Sequence, residues 1–263
     1  MKAGTCFIAL ALLSGCAGAP SSSEPPGAPV MDTGTIVNIN APRNRAKLHT
    51  ELASLYYSRG SMAVALEELR TALAADDDYA PAHGMFGVVY QELRENELAE
   101  KSFQRALELA PGDPDINHNY GWFLCQTKRE QKGIKYFMHA VSNPLYTTPW
   151  RSYSAAGECA MQMNDLKEAE RYFDRALKLA PNDPPALLHL GQIRYRQGSM
   201  DQARKLVARY NRVVSPSAES LWLAIRVERK LGERFAENSY ASELRKRFPG
   251  SPEYRALQRG DFE

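Results

Sequence analysis

Small and large apolar positions recur along this chain at intervals of 34 residues. Leu52-Ala53 with Tyr56, Phe86-Gly87 with Tyr90, and Tyr120-Gly121 with Leu124 repeat at that spacing. A second set follows each of them: Ala65, Leu69 and Ala72, then Ala99, Phe103 and Ala106, then Gly133, Phe137 and Ala140. Ala156-Gly157 with Ala160 then precedes Ala169, Phe173 and Ala176, and Leu190-Gly191 precedes Ala203 and Val207. Within each set the apolar residues fall three or four apart, the period of a buried helical stripe, so every unit predicts two helices. Turn residues fall between the paired helices at Gly60, Arg94, Asn164, Gly198 and Gly232, and the prolines at Pro111, Pro181 and Pro249 stop helix propagation. With units starting at Ala46, Ala80, Pro114, Trp150, Pro184 and Ala218, the spacings are 34, 34, 36, 34 and 34, and the longer one marks a two-residue insertion around Leu145 to Pro149.

This alternation of small and large positions resembles the tetratricopeptide repeat, a pair of antiparallel helices in which small residues permit close approach and large ones fill the groove beside them. The expectation is an all-α chain: a right-handed superhelical solenoid of six such helix-turn-helix repeats over residues 46–251, with 252–263 as a C-terminal tail. The sixth repeat is looser, with Glu237 where a small residue is usual. Gly133 stands where a small helix former such as Ala is usual, and there Gly costs a helix roughly 1 kcal/mol.

Charge and composition narrow the function. With 33 Lys+Arg against 31 Asp+Glu the formal net charge is +2, which supplies no clustered excess of cations for nucleic acid. At 44% hydrophobic and 24% charged residues the chain can bury a core, and it has no apolar run of the length a membrane helix needs. Catalysis requires converging titratable groups, and none emerges. His49, His83, His118, His139 and His189 are scattered over different repeats, the acidic run Asp76-Asp77-Asp78 reads as a solvated loop, and no HExxH, CxxC, GxGxxG or GxSxG motif occurs. The sequence points to a non-enzyme without metal, cofactor or small-molecule substrate.

The N-terminus reads as an address. Met1-Lys2, a short apolar stretch from Ala3 to Leu13, and then Leu13-Ser14-Gly15-Cys16 resemble a secretory signal ending in the lipobox of bacterial lipoproteins. Residues 1–15 are thus the expected signal peptide, and Cys16 the expected lipidation site. Acyl chains there would anchor the protein, each buried CH₂ contributing about 0.8 kcal/mol. Ala17 follows, rather than the Asp that commonly retains such proteins at the inner membrane, so the expected address is the outer membrane, facing the periplasm. Residues 16–45, rich in Pro, Ser and Gly, form the expected tether, with a flexible-coil span of roughly 30 Å.

In a stack of such pairs the first helix of each repeat lines the inner face, through its fifth, ninth, twelfth and thirteenth positions. That register places Tyr57, His118, Trp122, Met161, Leu188, Tyr195, Trp222, Arg226 and Arg229 on a candidate groove for a protein partner. Tyr57, Trp122, Tyr195 and Trp222 are aromatics that the repeat does not need for its own core, and aromatics and Arg dominate interface hot spots. Each either folds onto neighbouring helices or stays free for a partner. The carboxylate clamp of chaperone-binding repeats wants Lys and Asn where this chain has Thr50 and Ser54, or Gly84 and Val88.

Cys125 and Cys159 lie 34 residues apart in the first helices of repeats three and four. In an oxidising compartment they are a candidate disulfide, which would close a loop of about 35 residues. Against it stands their register, twelfth position against tenth; the alternative is two buried thiols acting as small hydrophobes.

Asn117-His118-Asn119-Tyr120-Gly121-Trp122-Phe123-Leu124-Cys125, Asn143-Pro144-Leu145-Tyr146, Leu221-Trp222-Leu223-Ala224-Ile225-Arg226 and Phe248-Pro249-Gly250-Ser251-Pro252-Glu253 together resemble the PilW/PilF family of type IV pilus biogenesis and stability lipoproteins. The resemblance runs from the lipobox to Glu253 and is most specific in its second half. It implies an outer-membrane pilotin that binds the pilus secretin and helps it to reach the membrane and form its multimeric ring. A scaffold lipoprotein for peptidoglycan hydrolases or synthases would share the anchor and the repeats.

Overall fold

The computed structural model describes residues 41–262. The expected signal peptide, Cys16 and most of the tether therefore lie outside the described residues. Within them the chain forms thirteen α-helices and no strand: α1 Pro42–Ser58, α2 Met62–Ala75, α3 Ala80–Glu92, α4 Asn96–Leu109, α5 Pro114–Gln126, α6 Glu130–Ser142, α7 Pro149–Gln162, α8 Leu166–Leu179, α9 Pro184–Arg196, α10 Met200–Val213, α11 Ala218–Leu231, α12 Arg234–Arg247 and α13 Pro252–Arg259. The first twelve are six helix pairs. Each pair packs on the next through contacts of α1 with α3, α3 with α5, α5 with α7, α7 with α9 and α9 with α11, while each second helix also meets the first helix of the following pair.

Local chemistry sets the helix ends. Proline stands in the first turn of α1, α3, α5, α7, α9 and α13, where a missing N–H has no helical carbonyl to serve. Asp113 caps α5 by accepting from the amides of Asp115 and Ile116, and Asp183 caps α9 by accepting from Ala186 N. Ser217 and Ser220 close a reciprocal capping box on α11. Every intra-repeat turn passes through one residue with positive φ, at Gly60, Arg94, Lys128, Asn164, Gly198 and Gly232. Lys128, at φ 64°, is the turn that the sequence did not single out.

The core runs along the stack where the repeat positions meet. Ala99, Phe103 and Ala106 are fully buried, as are Ala169, Phe173 and Ala176 one pair of repeats later. Gly133, read from sequence as a weak point of α6, has a packing reason. A Cβ built on it would lie 2.6 Å from the carbonyl oxygen of Gly121. Backbone cannot yield as a flexible side chain does, so the helix-propensity gain of Ala is outweighed here by a clash between α5 and α6.

Two differences from the sequence reading concern boundaries. α1 begins at Pro42, inside the stretch expected to be tether. Residues 252–263, expected as a tail, contain α13, which packs on α11 and α12. The insertion delivers Tyr146 into the interior, where it is 7% exposed. Asn143 anchors the inserted loop: its Nδ2 donates to Gly112 O at 2.8 Å and its Oδ1 accepts from Leu145 N at 2.9 Å.

Candidate functional site

First helices of consecutive repeats enclose a groove of about 450 Å³, lined by Tyr57 of α1, Val88, Gln91 and Glu92 of α3, His118, Asn119 and Trp122 of α5, Arg151, Ser154, Ala155 and Glu158 of α7, and Asp183 and Pro185 at the start of α9. Tyr57, Val88, Gln91, Glu92, His118, Trp122, Ser154 and Glu158 occupy the fifth, ninth, twelfth or thirteenth repeat positions. Asn119, Arg151, Ala155 and Pro185 sit at sixth and second positions, which the sequence reading left out. The spacing 2, 5/6, 9, 12/13 is one helical stripe, so extending the register to the second and sixth positions would have found them.

Tyr57 and Trp122 are half-buried on the walls of this groove, each packed against a cluster of buried apolar residues. Burial raises the Tyr57 hydroxyl pKa, and the nearby Glu92 carboxylate raises it further. Burial also raises the pKa of the Glu158 carboxyl, an effect eased by His189, whose Nε2 lies 3.9 Å away, and reinforced by Asp183. Asp183 accepts from Ser154 Oγ at 2.5 Å while it caps α9.

His118 reaches the groove only at its edge, being 9% exposed. Its Nδ1 lies 2.8 Å from Ser152 Oγ, which lies 3.1 Å from the Tyr146 hydroxyl. The inserted loop thus completes a buried polar chain between repeats three and four. Desolvation, helped by the positive field of Arg151, holds the imidazole down to about 4, so the ring is neutral at ordinary pH. As a donor of partner contacts His118 is corrected: it is an inter-repeat contact.

Cys125 and Cys159 are both fully buried and form a disulfide, with Cα atoms 5.8 Å apart. Their two-position offset amounts to about 3 Å of helix rise, which the packing of α5 on α7 absorbs. The bond ties together the two helices that carry Trp122 and Glu158 and so fixes the middle of the groove.

The other expected groove residues, in repeats four to six, lie outside this groove. Leu188 is 6% exposed and belongs to the core between α9 and α11. Met161 packs into the core formed with α8 and α9. Trp222 is 9% exposed and stacks on Phe262 at 5.4 Å between ring centroids. Arg229 lies 3.9 Å above the same Phe262 ring and pairs with Glu237 at 2.8 Å, which accounts for an acid at a position usually small. Arg226 stands over both Tyr195, at 4.7 Å, and Trp222, at 5.6 Å. The two Phe262 contacts come from a segment that lies beyond the repeats, which the repeat register does not include.

Six stacked helix pairs with a groove along their first helices define a tetratricopeptide-repeat protein, and residues 50–114 and 160–218 match that family. One relative is the type IV pilus assembly protein PilF of Pseudomonas aeruginosa, 30% identical over 210 residues that cover 80% of this chain and 83% of PilF. The crystal structure of PilW, a widely conserved type IV pilus biogenesis factor, superposes with a TM-score of 0.73 at 30% identity, covering 81% of this chain and 98% of PilW. The structure of P. aeruginosa PilF superposes with a TM-score of 0.78 at 28% identity over 83% of this chain and 99% of its own. The chain belongs to the PilF/PilW family of type IV pilus biogenesis proteins.

Proposed function

We propose that this protein is a lipid-anchored pilotin of the outer membrane, which captures the type IV pilus secretin and promotes its assembly into multimers. The observation that carries the reading is the uncovered groove of repeats one to four in a member of a pilus biogenesis family. Half-buried aromatics beside polar groups, set on rigid helices, are what a protein-binding surface needs: anchoring area at small entropic cost. The role is that of a scaffold, in keeping with a fold of stacked tetratricopeptide repeats. Acylation at Cys16 would supply the address, and the segment before Pro42 the reach from membrane to groove.

Deleting the gene should remove secretin multimers while secretin monomer persists. Multimers at parental level in the deletion strain, or recovery of murein hydrolases or synthases in place of secretin with the tagged protein, would overturn the reading. Cys16→Ser should leave the protein unacylated and absent from the outer-membrane fraction; acylated C16S protein in that fraction would reject the anchor.

A further inference from the structure

The groove of repeats one to four carries a sign as well as a shape. Three carboxylates line it, Glu92, Glu158 and Asp183, against the single guanidinium of Arg151. Glu92 has no ion pair among the described residues, and the ion-pair contact of Glu158 is the long one to His189, at 3.9 Å. Only Asp183 is committed, to a helix cap. An adjoining cavity of about 410 Å³ shares Asn119 with the groove and adds three more carboxylates against one lysine. The acidic rim is therefore continuous along the inner face of four repeats, in a chain whose formal net charge is +2. Between the acids stand the apolar walls of Tyr57 and Trp122.

We propose that this groove receives a basic segment of the partner protein, whose Lys or Arg side chains meet Glu92 and Glu158 while an apolar side chain between them packs against Trp122. Charge complementarity is the argument for this occupant. An acidic segment would place carboxylates against carboxylates in a partly desolvated trough, whereas a cation supplies the counter-charge that Glu158 lacks. A focused negative field would also speed encounter with a basic segment. The proposal rests on the reading that this groove is the partner surface.

The test is a fluorescence-anisotropy titration of the full chain with two labelled Gly/Ser-based peptides, one carrying leucines and lysines, the other with glutamate at every lysine. The lysine peptide should bind, the glutamate peptide should bind about fivefold or more weakly, and raising salt from ~0.05 to ~0.5 M should remove most of the difference. E92Q/E158Q should lose about fivefold for the lysine peptide, while E97Q, on α4, should not change it. Equal affinity for both peptides in the parent protein, or an E92Q/E158Q variant of parental affinity, overturns the proposal. No secretin enters this titration, so it can fail while the secretin reading stands. A deletion strain that keeps its secretin multimers overturns that reading without bearing on this one.

Discussion

The first helices of repeats three and six each present a tryptophan at an inward repeat position, the ninth in one and the fifth in the other, and the two meet opposite fates. Trp122 stays half-buried on the wall of an open groove. Trp222 is 9% exposed, under Phe262, with Arg226 and Arg229 stacked on the same aromatic group. In repeat three the neighbouring surface is bounded by further repeats, which close the core from the sides and leave the inner face free. Repeat six has no following repeat, so its end would be bare; α13 and the residues after it serve as the terminal cap that a solenoid requires. An aromatic at an inner repeat position is thus left on an open groove or taken into the core according to what the chain does next.

The sharpest way to break this comparison is to truncate both tryptophans. Trp222→Ala should cost about 3–5 kcal/mol of stability, as large core truncations do, whereas Trp122→Ala should cost under about 1.5 kcal/mol and act on partner capture. Thermal or urea unfolding of the two variants decides it, and equal losses would erase the distinction.

Next in size is the disulfide beneath the groove. C125S/C159S should lose about 3–4 kcal/mol through the entropy of a 34-residue separation in the unfolded chain, with the amides of α5 and α7 exchanging faster than those of α11. Exchange that rises uniformly over the stack would show that the bond does not serve the groove in particular.

His118 contributes a pH dependence to the interface between repeats three and four. The folded chain protonates this ring only near about 4, the unfolded chain near the ordinary 6.5. The stability from the neutral ring is accordingly complete above pH 6.5 and lost as pH falls from there toward 4, on the order of 3 kcal/mol in all. His118→Gln should flatten that part of the stability curve; a variant with the parental slope would locate the acid sensitivity elsewhere.

Much of this molecule could be read from its sequence. The 34-residue period located the six helix pairs, because each repeat must bury the same face against its neighbour. Eight residues of the groove lining followed from the same register. The exceptions have local causes. Lys128 was not recognised as a turn, since positive φ leaves no mark on a lysine as it does on Gly60 or Gly198. The role of Gly133 depends on Gly121 across the helix pair, and that of Tyr146 on Ser152 and His118, contacts that no local pattern encodes. Trp222 was assigned to the groove because its cover comes from Phe262, forty residues on and outside the repeat.

The smallest effect expected is a gain. Lys128 holds φ 64°, a region that costs non-glycine residues, so Lys128→Gly should stabilise by about 0.5–1 kcal/mol without altering the groove. It serves as a control in which stability and partner binding move separately.

The central claim is that partner capture belongs to repeats one to four and that the inner face of repeats five and six is closed or structural. Photo-crosslinking in cells tests it most directly, with benzoylphenylalanine placed singly at Gln91 or Trp122 in the groove and at the exposed Arg196 of repeat five. Secretin adducts should form from positions 91 and 122 and not from 196; adducts from 196 alone would contradict the account.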